Sequence, residues 1–406
     1  MGKIQLGVFF GSRSCEREVS IISAVQLMQH ADPDKYDVHP IYITEQGRWY
    51  TGEPLKQMAT YQHFDPNKKG VERCWLDLAS GSGALMTLRP AKGLFSHAEE
   101  AILCRLDVCI LAFHGLHGED GTVQGLLELA NIPYSSTGVA GSAIGMDKIM
   151  MKQFFRGANL PVLPGQGYTR GAWQKDADAV EQEVEQRFGF PVFVKPANLG
   201  SSIGVTRANN RTELHESFAL AFDYDRRVLV EQGLDHPVEL NCSVLGYDDE
   251  VQASPIEMPV VGDGEAMLDF MGKYLRGQKS AGMANLDRLL PAPIPDELRD
   301  RLQQMSMDIF RMLDCKGVVR IDYMQDRPTQ DIYITEINTI PGSLSFYLWQ
   351  AAGLRYGQLI DKLVDYARRA HADKNDRSYS FTSDILSAAS LGGAKGSKGS
   401  KGGMVQ

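Results

Sequence analysis

Two neighbouring apolar segments near the carboxyl end carry polar side chains that a pair of strands would bring together. Residues 317–345 read GVVRIDYMQDRPTQDIYITEINTIPGSLS. The isoleucines and tyrosines in this run indicate two half-buried strands, in which alternate residues share a face. Arg320 and Asp322 therefore share one face of the first strand, and Glu336 and Asn338 share one face of the second.

If these strands pair as a hairpin, three oxygen donors and a guanidinium meet in one place. Oxygen donors of this kind suit Mg²⁺, which commonly accompanies nucleotide phosphates. The alternative is a surface hairpin whose polar face is simply solvated. The motif alone does not decide between the two.

Composition and charge narrow the class of protein. The chain has 406 residues, 43% of them hydrophobic and 23% charged, which is typical of a soluble globular protein with two or three domains. A net charge of −9 argues against a partner that is a nucleic acid or a membrane surface. The six cysteines have no metal-like spacing, so we expect reduced thiols and a cytoplasmic location. No apolar run is long enough to suggest a membrane span.

The pattern of apolar residues predicts a mixed α/β and α+β chain in three units and a tail. Residues 1–145 alternate strands and helices, as in an open, Rossmann-like parallel sheet whose functional groups gather at the carboxyl ends of its strands. Glu16 follows the first strand and lies at that edge. Residues 146–234 predict a smaller α+β unit, and residues 235–371 a third unit that contains the hairpin. Residues 372–406 have the Gly/Ser/Lys bias of a flexible tail without a catalytic role.

A loop of small residues after residue 194 predicts a phosphate-binding segment. Glycines in KPANLGSSIG allow close approach of backbone amides to an anion, Ser201 and Ser202 add donors, and Lys195 adds charge. The loop is not a Walker sequence, and an ordinary turn remains an alternative. Lys148 opens a predicted helix, where an exposed lysine would need no special explanation.

Two further segments are candidates for ligand contacts. The connector VLVEQGL ends an apolar strand, so its backbone could read an adenine edge while Glu239 accepts bonds from ribose hydroxyls; ordinary surface glutamates are the alternative. The segment HGLHGEDG follows the predicted strand 108–113 and contains two histidines and two acids. A histidine metal site there is disfavoured, because the hairpin already offers a set of hard ligands.

Seven motifs occur in an order that resembles one family. FGSRSCEREVS, HGLHGEDGTVQG, IPY followed by GVAGSAIGMDK, VKPANLGSSIG, GKY, RID and EINTIPG resemble the motifs of the D-alanine:D-alanine ligases over roughly residues 4–368. The resemblance implies the ATP-grasp fold, with ATP held between two α+β units and an N-terminal parallel-sheet domain beside the amino-acid site. It also implies ATP and Mg²⁺ (or Mn²⁺) as cofactors, two D-amino acids as substrates, and a homodimer.

The resemblance implies a role for each matching residue. The ATP-binding residues would be Lys148, Lys195, Ser202, Glu231, Gln232, Gly233, Leu234 and Glu239. Asp322, Glu336 and Asn338 would bind Mg²⁺. The γ-phosphoryl group would pass to the first carboxylate, and Arg320 and the amide of Gly342 would stabilise the oxyanion formed when the second amine attacks.

The same resemblance predicts a network around the first substrate. Glu16 would bind its ammonium group and connect through Ser201 to Tyr274 on a mobile loop, which would exclude water. His114 would lie near this substrate. Lys273 beside Tyr274 resembles the loop of ligases that take an amino acid second, rather than those that form an ester.

One stretch departs from the family pattern. After Gly342 the chain reads SLSFYLW, in which Ser343 and Tyr347 are the candidate substrate-binding residues. Tyr347 stands at the position where a serine usually grips the carboxylate of the second substrate. The phenol could still donate to a carboxylate, but its bulk changes the pocket. The aromatic residues could also pack a helix start, and we expect both effects together.

These observations predict a ligase that forms D-alanyl-D-alanine for the peptidoglycan precursor. The alternative is a D-alanine:D-serine ligase or another carboxylate-amine ligase with a different second substrate. A catalytically idle ATP-binding regulator is disfavoured, because Arg320, Asp322 and Glu336 are all retained.

Overall fold

The computed structural model describes residues 2–89, 97–260 and 288–379. Within these ranges the chain forms three sheets of four or more strands and one sheet of two strands. The three larger sheets follow one another along the chain, and one compact unit spans Met1–His371.

The N-terminal sheet is mixed. Its strands are β1 (Ile4–Gly11), β2 (Tyr36–Ile43), β3 (Trp49–Thr51), β4 (Glu72–Leu76), β5 (Ala84–Arg89), β6 (Glu99–Arg105) and β7 (Val108–Leu111), in the spatial order β6-β5-β4-β3-β2-β1-β7. The predicted parallel pairing is confirmed for β1, which lies between β2 and β7. The antiparallel extension from β3 to β6 was not predicted.

The central position of β1 in the sheet explains why most of its residues are apolar. Its last six residues are all buried, because helices cover both faces of a central parallel strand and leave no polar side. The helices of this region are α1 (Arg17–His30), α2 (Ala59–Gln62), α3 (Thr122–Ala130) and α4 (Val139–Met146), with a 3₁₀ turn at Glu53–Lys56. Helix α1 starts just beyond the carboxyl end of β1 and therefore places Glu16 at the predicted edge.

The second sheet is small and antiparallel. Its strands are β8 (Gly165–Thr169), β9 (Val192–Pro196), β10 (Thr206–Ala208) and β11 (Arg227–Gln232), in the order β10-β9-β11-β8. The helices of this part of the chain are α5 (Lys148–Gly157), α6 (Arg170–Lys175), α7 (Ala177–Phe188) and α8 (Arg211–Tyr224). Strands β9 and β10 flank residues 197–205, which we call the Gly/Ser loop.

The third sheet contains the hairpin. Its strands are β12 (Val238–Tyr247), β13 (Glu250–Ala253), β16 (Gly317–Gln325) and β17 (Ile332–Asn338), in the antiparallel order β13-β12-β16-β17. A separate pair consists of β14 (Met258–Pro259) and β15 (Arg288–Leu289). The remaining helices are α9 (Asp296–Met312), α10 (Phe346–Ala351) and α11 (Tyr356–Asn375), and Gly342–Ser345 forms a 3₁₀ turn.

Each large sheet has its own hydrophobic core. Helix α5 belongs to the core of the third sheet, where Met151 and Phe155 pack with Ile321 and Ile337. Leu359 and Leu363 of α11 pack in the core of the N-terminal sheet. These contacts interlock the parts of the chain, and the predicted division at residues 145, 234 and 371 stays a prediction.

No helix within the described ranges combines the length and the apolar character that a membrane crossing requires. All six cysteines are free.

Candidate active site

The hairpin of β16 and β17 brings four predicted residues together. Asp322 is the register partner of Glu336, and Arg320 is the partner of Asn338. Arg320 donates from Nε to Asp322 Oδ1 over 2.6 Å and from a terminal nitrogen to Oδ2 over 2.7 Å. Asn338 donates to the same carboxylate over 3.0 Å. Because a carboxylate has about four acceptor sites, Asp322 can accept these bonds and still bind a cation.

A β-bulge makes this arrangement possible. Ile334 and Ile337 are three residues apart and both buried, which a regular strand does not allow because its side chains alternate. The register shifts after Asp322, and the hydroxyl of Thr335 donates to the Asp322 carbonyl over 2.8 Å. The bulge therefore turns Glu336 to the face of Asp322 while Ile337 returns to the core.

Lys148 lies between this face and the Gly/Ser loop. The side chain of Asp147 caps α5 by accepting two amides of the first turn, which fixes where the helix begins. Lys148 Nζ donates to the carbonyl of Leu199 over 2.6 Å and lies 3.5 Å from Oε2 of Glu336. The ammonium group of Lys148 is thus held beside the predicted metal ligands.

The Gly/Ser loop encloses the side chain of Glu16. Ser201 and Ser202 have left-handed φ angles of 52° and 60°, and Ser201 donates to Oε1 of Glu16. A Cβ on Gly200 would lie 2.7 Å from Oε2 of Glu16, and a Cβ on Gly115 would lie 2.5 Å from it. Both distances are shorter than van der Waals contact, so only glycine fits at these two positions with Glu16 in place.

The structure brings Glu16 and Ser201 together, in keeping with the predicted network around the first substrate. Lys273 and Tyr274 lie outside the described residues, and their roles stay predictions.

His114 follows β7 and is buried near the turn after β17. Its Nε2 lies 2.8 Å from Oγ of Ser23 on α1. Burial lowers the pKa of His114 to about 3, and the charge of Arg320 lowers it too, while a hydrogen bond to the backbone of Ile340 opposes the change. The imidazole is therefore neutral at neutral pH and interacts through hydrogen bonds rather than through charge.

Glu119 has a structural position that the sequence did not reveal. Its Oε2 accepts from the amide of Gly115 over 2.9 Å, and its Oε1 accepts from the amide of Ile340 over 3.0 Å. Burial and, to a smaller extent, the neighbouring charge of Glu16 raise the pKa of Glu119 to about 8, against the effect of the two amides. Glu119 thus connects the loop after β7 to the turn after β17.

The turn after Gly342 has an uncommon backbone. Ser343 and the two residues that follow it have φ angles of 48°, 56° and 49°, although none is glycine. Such conformations cost on the order of 1–3 kcal/mol each and persist only where the surroundings hold them. Helix α1 does so here, because the amide of Ser343 donates to Ser23 over 3.0 Å and its hydroxyl donates to Gln26 over 2.7 Å. The same Ser23 contacts His114, so two of the predicted substrate-binding residues, His114 and Ser343, depend on α1.

Tyr347 is held by a buried carboxylate. Its hydroxyl donates to Oε2 of Glu257 over 3.0 Å. Glu257 also accepts from Arg288 over 2.8 Å and from Asn241 over 3.1 Å, and the Arg288 guanidinium carbon lies 3.9 Å from the centre of the Tyr347 ring. Asn241 is the register partner of Asp322, so this cluster lies beside the hairpin.

The neighbouring aromatic residues pack as the alternative interpretation predicted. Trp349 is fully buried and donates to Ser243 over 3.1 Å, and Phe346 stacks on Tyr356 with ring centres 4.6 Å apart.

Glu231 lies between two lysines. Lys195 forms an ion pair with Oε1, and Nζ of Lys152 lies 3.0 Å from Oε2. Burial opposes ionisation of Glu231, but the two ammonium groups outweigh it and lower the pKa to about 2. The carboxylate of Glu231 is therefore ionised and held in place by the two lysines.

A cavity lies between the second and third sheets. It contains about 460 Å³ of space, part of it open to solvent, and its apolar walls include Leu163, Phe193, Leu234 and Met324. Lys195, Glu231 and Gln232 are its polar lining residues from β9 and β11. Its apolar walls, together with the polar side chains between them, suit a small molecule.

Backbone contacts define what the connector after β11 can offer. The amide of Gln232 donates to Pro164 over 2.9 Å, and that of Gly233 donates to Pro191 over 2.8 Å. An adenine would therefore have to use other backbone groups of this segment. Glu239 is the register partner of Met324, a wall of the cavity, which places its side chain next to that wall.

Two models of the same protein family match the chain. The model described as D-ala D-ala ligase N-terminus matches residues 5–137, and the model described as D-ala D-ala ligase C-terminus matches residues 154–365. The D-alanine--D-alanine ligase of Thermosipho africanus is 35% identical, over 94% of this chain and 98% of that protein. The D-alanine--D-alanine ligase of Acetivibrio thermocellus is 37% identical, over 90% of this chain and 96% of that protein.

Solved structures of ligases also resemble this chain. The D-alanine-D-alanine ligase of Coxiella burnetii has a TM-score of 0.73 and 25% identity, with 96% of this chain and all of that chain covered. The VanG D-Ala:D-Ser ligase of Enterococcus faecalis has the same TM-score and 27% identity, with 90% of this chain and all of that chain covered. The predicted ATP-grasp fold is confirmed, and the chain belongs to the D-ala D-ala ligase family.

Proposed function

We propose that the protein is an ATP-dependent ligase that joins two molecules of D-alanine through an acyl phosphate. The observation that carries the proposal is the pairing of Asp322 with Glu336, with Lys148 only 3.5 Å from Glu336, in a chain of this family. Two acids on one sheet face, with a lysine of α5 next to them, suit a metal nucleotide better than they suit a solvated surface.

The nucleotide would lie in the cavity between the second and third sheets. Its base would contact the apolar walls, the ribose would lie near Glu239, and the phosphates would extend toward Lys148, Lys195 and the Gly/Ser loop with Ser202. Asp322, Glu336 and Asn338 offer the hard oxygen donors that Mg²⁺ prefers, and Mn²⁺ would fit the same set. The metal would offset negative charge on the transferring phosphoryl group.

The first D-alanine would be oriented by its ammonium group. Glu16 is held by Ser201 and enclosed by two glycines, so its carboxylate has a fixed position for a cation. Transfer of the γ-phosphoryl group to the substrate carboxylate releases ADP and gives a reactive acyl phosphate. His114, neutral and buried beside Ser23, would line this part of the site.

The second amino acid would then attack the acyl phosphate with its amine. Negative charge grows on the former carbonyl oxygen, where the guanidinium of Arg320 and the amide of Gly342 would stabilise it. The rigid turn after Gly342 favours this role, because α1 fixes its direction through Ser343. Peptide-bond formation releases inorganic phosphate.

The acceptor side of the site favours D-alanine over D-serine. The hydroxyl of Tyr347 is already bonded to Glu257, so its ring is what remains to face a small side chain. A methyl group packs well on such a wall, while a hydroxyl would find an acceptor only at the phenol oxygen. A D-alanine:D-serine ligase is the second candidate, because Tyr347 replaces the serine usual in the family.

We further propose that the protein works in the cytoplasm as a homodimer and supplies the D-alanyl-D-alanine of the peptidoglycan precursor. A net charge of −9 is consistent with partners that are neither nucleic acids nor membrane surfaces.

The direct test is to incubate the purified protein with ATP, Mg²⁺ and D-alanine and to measure phosphate and dipeptide. We expect both products in equal amounts. Competition between D-alanine and D-serine as second substrate separates the two candidate functions. ATP binding without a dipeptide from any pair of D-amino acids would favour an ATP-binding regulator and would contradict the proposal.

A further inference from the structure

A buried group of three charges lies at the edge of the nucleotide cavity. Glu231 and Lys152 have side chains that are 2% and 4% exposed, and Lys195 is 12% exposed. Two lysines therefore share one carboxylate, which leaves an excess positive charge in a poorly solvated place. Such an excess is costly unless an anion also binds there.

The two lysines differ in what surrounds them. Lys195 and Glu231 are among the described residues that line the cavity, and Lys152 is not. Nζ of Lys152 donates to the carbonyl of Ile334 over 3.1 Å, in addition to its ion pair with Glu231. Lys152 is thus fixed between α5, β11 and β17, whereas Lys195 faces the space that the nucleotide would fill.

This difference matters when a phosphate arrives. For Lys195 to contact a phosphate, it has to weaken its ion pair with Glu231. Loss of the partner of a buried carboxylate strongly destabilises the folded protein. Lys152 removes that cost, because Glu231 keeps one lysine whichever way Lys195 points.

We propose that Lys152 is a positioning residue for nucleotide binding: it stays paired with Glu231 as a permanent counter-charge and thereby releases Lys195 to the phosphates. The inference rests on the proposed function only in requiring that the cavity binds a nucleotide. Nothing in the sequence motifs or in the family comparison assigns a role to Lys152.

The test measures binding of MgADP to the full-length protein by isothermal titration calorimetry. We expect Lys152→Met to weaken MgADP binding by about 10-fold or more, because Glu231 then retains Lys195. Lys152→Arg keeps the charge and should retain more of the affinity than Lys152→Met. The matched control is Lys316→Met, which removes a lysine that lies 3.6 Å above the ring of Tyr134, at the opposite end of β16 from Met324, and should leave the affinity unchanged.

A double substitution separates the charge effect from a purely structural one. If Lys152 acts by neutralising Glu231, then Lys152→Met should lose its effect in a Glu231→Gln background. The double variant should bind MgADP as tightly as Glu231→Gln alone. A double variant that binds about 10-fold more weakly than Glu231→Gln would overturn the inference, since the defect would then not depend on the charge of Glu231.

The remaining outcomes are also decisive. Lys152→Met with wild-type affinity would overturn this inference and leave the proposed function standing. A wild-type protein that does not bind MgADP would overturn both. If circular dichroism shows that Lys152→Met is unfolded, the double variant is used instead. A double variant that folds and binds MgADP like Glu231→Gln supports the inference, and one that does not fold contradicts it.

Discussion

The hydroxyl of Tyr347 donates to the buried carboxylate of Glu257 over 3.0 Å, although the two residues are 90 positions apart in the chain. Arg288 lies against the Tyr347 ring and pairs with the same carboxylate over 2.8 Å. This cluster fixes the ring of Tyr347, and the hydroxyl proton of Tyr347 is already donated to Glu257. The position that departs most from the family pattern is therefore a rigid aromatic wall, not a free hydroxyl.

Replacing Tyr347 by serine should relax the choice of the second amino acid. We expect Tyr347→Ser to use D-serine better relative to D-alanine by about 10-fold, because a hydroxyl and added space replace the ring. The measurement is the ratio of the two dipeptides formed in a competition assay with both amino acids present.

Tyr347→Phe is the matched control for this change, because it keeps the ring and removes only the donor. It should preserve the selectivity but cost on the order of 1–3 kcal/mol of stability, since Glu257 loses a buried hydrogen bond. Equal selectivity in wild type, Tyr347→Ser and Tyr347→Phe would show that Tyr347 does not contact the acceptor.

Glu336→Gln should abolish most phosphoryl transfer while leaving the fold intact. Glu336 lies opposite Asp322 on the polar face of the hairpin and its side chain is not part of the core. We expect a loss of at least about 100-fold in turnover, since even residues that only support metal ligands cost 10–100-fold. Phosphate release at saturating ATP measures the effect. The exposed Glu297→Gln on α9 controls for the loss of one charge, and comparable turnover in both variants would rule out the metal role.

The hairpin shows why part of the site could be predicted from the sequence. Period-two alternation places Arg320 with Asp322 and Glu336 with Asn338, and the observed register brings the two pairs together. The bulge was also visible in principle, because Ile334 and Ile337 cannot both be buried on a regular strand. A break in the alternation of apolar residues is therefore a usable signal for a bulge.

Other features depend on contacts that no local pattern contains. The left-handed turn that starts at Ser343 has no glycine to reveal it, and Ser23 on α1 stabilises it across 320 positions. Lys152 is polar in an otherwise apolar face of α5, yet its role depends on its ion pair with Glu231, which lies on a strand of the second sheet. Long-range partners decide these features, so sequence patterns alone did not predict them.

The stability of the protein should fall in acid partly because of His114. Burial lowers its pKa to about 3, whereas an unfolded chain has an ordinary histidine near 6.5. Between these values the unfolded state binds more protons, so the free energy of unfolding decreases as the pH falls below about 6.5, by up to about 1.4 kcal/mol per pH unit.

His114→Asn removes this contribution, and urea unfolding between pH 5 and pH 8 measures it. We expect the variant to be less stable than wild type at pH 8 and to lose less stability on acidification. His63→Asn, at an exposed position, should follow the wild type throughout. Parallel pH profiles for wild type and His114→Asn would contradict the burial argument.

Gly200→Ala should impair binding of the first substrate more than binding of ATP. The new Cβ would lie 2.7 Å from Oε2 of Glu16, so either Glu16 or the Gly/Ser loop has to move. Because Glu16 is the proposed partner of the substrate ammonium, we expect the KM of the first D-alanine to rise by about 10-fold or more, since displacements near 1 Å already cost large factors in rate. Gly171→Ala on α6 meets no atom within 4 Å and should leave the kinetics unchanged. An equal rise in the KM values of ATP and D-alanine would instead indicate that the whole Gly/Ser loop is displaced.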